Sequence, residues 1–205
     1  MKEKNKELFK TLAKAYDNGT FKEVINNMVQ KSDNKENLMA LISTLAGTDS
    51  VNGINFVDIL EEKIKNYKSS KVVNKIASCP EGCQSEAKDR NCSASCPFNA
   101  IFYDTNERNI KIAEDACIDC GICVEACPEN TILDKVEFLP LLNKLRSGDK
   151  VIAAVAPAIA GQFGDKAALG RLRTSLKKLG FFDMVEVAFF ADMLTLKEAV
   201  EFNHV

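Results

Sequence analysis

All eight cysteines of the chain fall between positions 79 and 127, in two groups. The second group runs Cys117-x2-Cys120-x2-Cys123-x3-Cys127 and closes on Pro128. Two-residue gaps let three thiolates converge on three irons of one cube while backbone N–H groups face its sulfides. This is the spacing of [4Fe–4S] ligation in which three cysteines serve one cube and the fourth reaches another. Gly121 suits so tight a wrap, because glycine enters positive φ without steric cost. The first group is looser, Cys79-x3-Cys83-x8-Cys92-x3-Cys96 followed by Pro97, with a polar insert from Gln84 to Asn91. The chemistry such thiolates support is one-electron transfer.

The ends of the two groups repeat. Cys96-Pro97-Phe98-Asn99-Ala100-Ile101 and Cys127-Pro128-Glu129-Asn130-Thr131-Ile132 share Cys, Pro, Asn and Ile at matched offsets, 31 residues apart. A repeat of this kind predicts two half-domains related by a pseudo-twofold axis, with the fourth cysteine of each half crossing to the other cube. On that motif one [4Fe–4S] cluster takes Cys79, Cys83, Cys92 and Cys127. The other takes Cys117, Cys120, Cys123 and Cys96. Ile101, Ile118, Ile122 and Ile132 are expected to shield the clusters from water. Two other uses of eight cysteines compete. Structural zinc favours separated CxxC pairs, unlike three cysteines at two-residue intervals closing on Cys-Pro. Disulfides need an oxidising compartment, and the Lys-rich N-terminus leads into an amphipathic segment rather than an apolar signal core.

The elements around this segment follow from composition. With 205 residues, 46% hydrophobic and 27% charged, the chain can bury a core and is not of the disordered class. The longest apolar run, residues 151–160, contains Pro157 and falls well short of the roughly 20 residues a bilayer span needs. These features predict a cytoplasmic protein. Residues 1–75 carry 13 basic and 10 acidic side chains, residues 76–140 carry 5 and 12, and residues 141–205 carry 9 and 7. Three zones predict three units: a helical domain (1–75), a cluster-binding domain (76–140) and an α/β segment (141–205). The acidic middle disfavours nucleic acid and suits a redox partner with a basic docking face.

In the first zone, apolar residues recur at helical spacing: Leu8, Phe9, Leu12, Tyr16; Phe21, Val24, Ile25, Met28, Val29; Leu38, Leu41, Ile42, Leu45; and Phe56, Ile59, Leu60, Ile64, Tyr67. About four helices are predicted, with Thr20 and Glu23 as a capping box and Asp33 with Glu36 starting a third. This bundle reads as a packed scaffold. In the last zone, Val151 to Ala156 reads as a buried parallel strand. A helix through Leu169, Leu172, Leu176 and Leu179 follows, capped by Gly180. A strand from Met184 to Phe189 and a helix from Leu194 to Phe202 complete a β-α-β-α unit. Two parallel strands cannot bury both faces of a sheet alone, so a partner or a further portion of chain is expected to complete it. Gly161-Gln162-Phe163-Gly164 is neither a dinucleotide nor a phosphate loop, and the lone His204 reads as a terminal side chain. The predicted class is α+β.

The middle zone resembles the bacterial-type two-[4Fe–4S] ferredoxin domain. Val151 to Ile159, Gly161 to Gly164, Leu172 to Phe181, Val185 to Asp192 and Leu196-Lys197-Glu198 resemble the beginning of the catalytic domain of iron-only ([FeFe]) hydrogenases. Together the resemblance covers roughly residues 76 to 203. It implies that the ferredoxin-like part feeds electrons to the hydrogenase-like part, and that Ala156-Pro157-Ala158 belongs to a loop lining a cofactor pocket. It also implies further cysteines, downstream of this segment, for a catalytic cluster. Two cubes already use all eight thiols, so no catalytic residue is expected here, and the chain should neither make nor oxidise hydrogen. The expected function is electron transfer through two [4Fe–4S] clusters. The alternatives are the front portion of a hydrogenase-like enzyme and a redox sensor.

Overall fold

The computed structural model describes residues 3–68, 71–80, 83, 91–107, 109–164 and 168–202. Helices and three two-stranded sheets give these residues a mixed α+β architecture. The chain divides into two compact units, Met1–Pro140 and Leu141–Val205.

The first unit opens with α1 (Glu3–Asp17), α2 (Phe21–Lys31), α3 (Lys35–Leu45) and α4 (Phe56–Lys65). Their apolar stripes meet in one core, where Leu12, Ile25, Ile42, Leu60 and Ile64 are fully buried. Each such side chain contributes about 1.5–3 kcal/mol of burial. One expected cap bond is not made and one expected start shifts. Thr20 makes no cap bond through its side chain, because its hydroxyl instead donates to the Ala15 carbonyl at 3.5 Å. Helix α3 is capped by Asn34, whose side chain accepts from the Asn37 N–H at 3.1 Å, one residue after the expected Asp33.

The cysteine segment follows with β1 (Val73–Lys75), α5 (Asn91–Ala94), β2 (Ile101–Asp104), β3 (Asn109–Ile112), α6 (Ile122–Ala126) and β4 (Ile132–Asp134). Strands β1 and β4 pair antiparallel, with Lys75 opposite Ile132 and Val73 opposite Asp134. Strands β2 and β3 pair likewise, with Ile101 opposite Ile112 and Tyr103 opposite Ile110. Ile101 and Ile132, the repeated isoleucines, therefore open corresponding strands. Asn99 and Asn130, the repeated asparagines, both sit at positive φ, 51° and 53°.

The helices dock on the β1–β4 pair. The Asn74 amide donates to the Thr44 hydroxyl at 3.0 Å, and the Val136 N–H donates to the Thr44 carbonyl at 3.0 Å. The Lys135 ammonium, whose side chain is 2% exposed, pairs with Asp49. At the start of α7 (Phe138–Arg146), Leu139 is buried in the helical core and the Phe138 ring meets Phe9 edge-on at 5.8 Å.

In the second unit, β5 (Ile152–Val155) runs parallel to β6 (Asp183–Glu186), joined through α8 (Leu169–Lys178) and followed by α9 (Val187–Phe202). Gly180 closes α8 at φ 107°, with the Gly180 and Phe181 N–H groups returning to Lys177 and Leu176. This is the αL termination expected of a glycine there. Two expectations are corrected. Strand β5 is not buried, since Ile152 is 51% exposed. The second strand ends at Glu186, and Val187 to Phe189 begin a longer helix. The first follows because a two-stranded sheet covers little, so apolar character there does not report burial. No helix among the described residues is long and apolar enough to cross a membrane. His204 and residues 84–90 of the polar insert lie outside the described residues.

Candidate metal centre

Seven of the eight cysteines gather in or around one apolar cluster. Cys79, Cys92, Cys123 and Cys127 are buried there with Val73, Ile101, Ile110 and Ile132, and Cys83, Cys96 and Cys117 pack at its edge. Cys120 is exposed. None of the eight is in a disulfide.

Within this cluster the thiols fall into two sets. Cys96, Cys117, Cys120 and Cys123 line one small apolar cavity together with Ile101, Ile112 and Gly121. Cys96 belongs in sequence to the first group. Short helix α5 and the turn after it carry it across, and its sulfur accepts the Ala100 N–H at 3.3 Å. Gly121 stands at φ 78° and Asp119 at φ 59°, the left-handed conformations that wrap the loop around the cavity. The mouth is apolar and open: Ile118 is 59% and Ile122 is 42% exposed. Ile118 and Ile122 line the cavity from its solvent side, whereas Ile101 and Ile132 are buried.

The other set centres on Thr131. Its hydroxyl lies 3.5 Å from the Cys127 sulfur and 3.8 Å from the Cys79 sulfur, joining cysteines 48 positions apart. Asn109 holds the Cys79 backbone, accepting the Cys79 N–H at 3.3 Å and the Ile110 N–H at 2.9 Å. Cys92 feels the Cys127 and Cys79 thiols electrostatically, after the larger effect of burial, and its own thiol is raised. Cys83 packs at the edge of the apolar cluster that both sets share.

Burial governs the remaining thiols. It pushes Cys123 up to about 11, with the Cys117 thiol adding to the effect. On Cys127 burial also acts upward, but the Thr131 hydroxyl and the N–H groups of Ile132, Thr131 and Glu129 outweigh it and hold the thiol below its usual value. Loading metal must strip protons from such thiols. Nearby N–H and O–H donors favour the anionic sulfur that a metal needs.

The donor set fits iron–sulfur cubes. Among the described residues no three His, Cys, Asp or Glu side chains stand close enough to hold a single ion. Cube ligation draws on thiolates and on N–H donors to their sulfurs, and such donors stand beside Cys96 and Cys127.

Residues 78–132 match the 4Fe-4S dicluster domain. Residues 149–205 match the C-terminal domain of the iron only hydrogenase large subunit. The homologues are hydrogenase subunits and ferredoxins. NADP-reducing hydrogenase subunit HndD of Solidesulfovibrio fructosivorans is 28% identical over 113 residues, covering 51% of this chain and 19% of that protein. Iron hydrogenase 1 of Clostridium pasteurianum is 31% identical over 163 residues, covering 53% of this chain and 28% of that protein. A ferredoxin of Streptomyces griseus is 36% identical over 47 residues, covering 23% of this chain and 43% of that protein. The chain thus spans less than a third of either hydrogenase.

Sequence reasoning missed Thr131, Asn109 and Asp119. The Asp119 carboxylate accepts the Val72 and Val73 N–H groups, both at 2.9 Å, and ties the Cys117–Cys120 loop to β1. Its place between two cysteines was visible. Its bond to a strand 46 residues away was not.

Proposed function

We propose that this chain is an electron-transfer protein carrying two [4Fe–4S] clusters, one held by Cys79, Cys83, Cys92 and Cys127 and one by Cys96, Cys117, Cys120 and Cys123. The observation that carries the reading is the cavity shared by Cys96 with the three cysteines of the second group. It is supported on the other side by Thr131, which links Cys79 to Cys127. Each cube, when bound, supplies a one-electron couple whose potential depends on hydrogen bonds to sulfur and on solvent exposure. The chain's own groups do the rest. Buried isoleucines exclude water, Thr131 and the N–H groups after Cys127 offset thiolate charge, and Asp119 fixes the loop.

Electrons exchange with a partner at the second site, where Cys120 and Ile118 are exposed. The acidic residues 76–140 favour a partner with a basic face. A second reading, the front portion of a hydrogenase-like enzyme, draws on the match of residues 149–205. It also draws on the apolar side chains exposed in the second unit, among them Ile152, Phe189 and Leu196. A partner or further chain would cover these.

Anaerobic reductive titration tests the proposal. Residues 1–205, reconstituted with iron and sulfide, should take up about two electrons per chain, one for each cube, and evolve no hydrogen. Uptake of one electron or none contradicts the carrier reading. Hydrogen evolution favours the enzyme.

A further inference from the structure

The two cluster sites are related by the internal repeat, but one position breaks the relation. Ile101 and Ile132 are repeat mates, and each faces a partner across its sheet: Ile112 faces Ile101, and Lys75 faces Ile132. Two residues along the same strands, Val73 and Ile110 correspond, since they face Asp134 and Tyr103, which lie 31 residues apart. Both are buried in the apolar cluster. Lys75 therefore occupies, in the first half, the place that Ile112 holds in the second. Ile112 lines the second cavity. Where symmetry calls for an isoleucine beside the first set of cysteines, the chain carries an ammonium group.

The surroundings keep that charge close to the sulfurs. Lys75 is partly buried, and Ile132 opposite it donates its backbone N–H to the Cys127 sulfur. The next residue, Ile76, donates its N–H to the Thr131 carbonyl at 2.8 Å, and the Thr131 hydroxyl lies between the Cys79 and Cys127 sulfurs. The Lys75 ammonium donates to the Ala77 carbonyl, two residues before Cys79. Burial pulls its proton affinity down, while the Cys79, Cys127 and Cys92 thiols, and less strongly Glu107, pull it up. Glu107 is itself paired with Lys111 at 2.7 Å. Of the other lysines that line the same cleft, Lys111 is paired with Asp104 and Glu107 and Lys135 with Asp49, whereas the Lys71 ammonium, from a position before β1, donates to the Cys117 carbonyl at the second site. The inequality at issue is the one that Lys75 adds at the first.

We propose that Lys75 makes the two clusters unequal, giving the first site, Cys79/Cys83/Cys92/Cys127, the higher reduction potential, so that electrons come to rest there. A reduced cluster carries one more negative charge than an oxidised one, and a fixed cation in a poorly screened site stabilises that extra charge. The second site has an apolar residue in the corresponding position. A low-potential one-electron donor therefore reduces the exposed second site, which is reoxidised as the same electron passes to the first. One electron moves, no bond changes, and no proton is required. The second site becomes the exchange point and the first the reservoir.

The inference rests on the two-cluster reading above, and its test separates the two. Dye-mediated redox titration of the loaded protein, followed by EPR, should show two distinct midpoints. Lys75→Met should lower the higher midpoint toward the lower one and leave the lower in place, and Lys75→Arg should restore the separation. Lys75→Gln, which keeps a polar head for the Ala77 carbonyl, is the second neutral variant should the methionine prevent loading. Two coincident midpoints in the unaltered protein, or a neutral variant with full iron whose higher midpoint does not fall, would overturn the inference while leaving the clusters intact. An unaltered protein holding only one cluster would instead overturn the reading beneath it.

Discussion

At positions 99 and 130 the backbone turns left-handed two residues past the proline of Cys-Pro. This turn returns each chain to a strand, β2 or β4, within five residues of the cysteine. It also brings N–H groups back onto sulfur: Ala100 onto Cys96 at 3.3 Å, and Thr131 and Ile132 onto Cys127. Asparagine tolerates αL, whereas most residues pay about 1–2 kcal/mol there. Asn130→Val should therefore lower the thermal midpoint of the loaded protein by the equivalent of about 1–2 kcal/mol, and Asn130→Gly should largely keep it. Equal losses in both variants would show that the asparagine side chain, rather than the backbone angle, matters. The repeat of the asparagines was legible in the sequence, but its reason was not, because φ depends on where the chain must return. Thr131 was hidden in the same way: it is not shared between the repeats, and its hydroxyl acts on Cys79, 52 positions away.

Among elements, the join between helices and cluster lobe is the least obvious from sequence. The four helical stripes were plain, because a 3.6-residue period repeats over many residues. What those helices pack against carried no such signal. The answer lies just past the end of α3, where Gly47 at φ 79° turns the chain against the segment that follows β4. A Cβ at Gly47 would stand 2.8 Å from the Glu137 Cα and 2.9 Å from the Val136 carbonyl oxygen. Backbone atoms cannot move aside as a flexible side chain can. Gly47→Ala should destabilise the loaded protein by more than about 1 kcal/mol, from strain and clash together. Gly148→Ala, at φ 86° but with open space around it, should cost only the strain. A drop in thermal midpoint no larger than that of Gly148→Ala would contradict the tight join. The misread strand in the second unit has the opposite origin. Met184 to Phe189 is a short stretch, apolar except for Glu186, and strand and buried helix look alike in such a stretch; Val187 to Phe189 lie in α9.

For the whole molecule, the sequence yielded the iron–sulfur chemistry more readily than the arrangement around it. Cysteine spacing is local and fixed by the geometry of a cube, so it survives without knowledge of the fold. The asymmetry between the two sites required registers across two sheets, in which Lys75 and Ile112 take corresponding places. The match of residues 149–205 to the C-terminal domain of the iron only hydrogenase large subunit gives the second unit a relative, and Ile152, Phe189 and Leu196 are among its exposed apolar side chains.

Everything proposed depends on two cubes and on the crossing of Cys96 and Cys127. Iron and acid-labile sulfide counted per chain after anaerobic reconstitution test this directly, with Cys96→Ala and Cys127→Ala measured beside the unaltered protein. The account predicts about eight irons and eight sulfides. Cys96→Ala should lose the signals of the Cys117/Cys120/Cys123 site and Cys127→Ala those of the Cys79/Cys83/Cys92 site. Zinc without sulfide, about four irons in the unaltered protein, or each alanine disturbing the site of its own sequence group would contradict it.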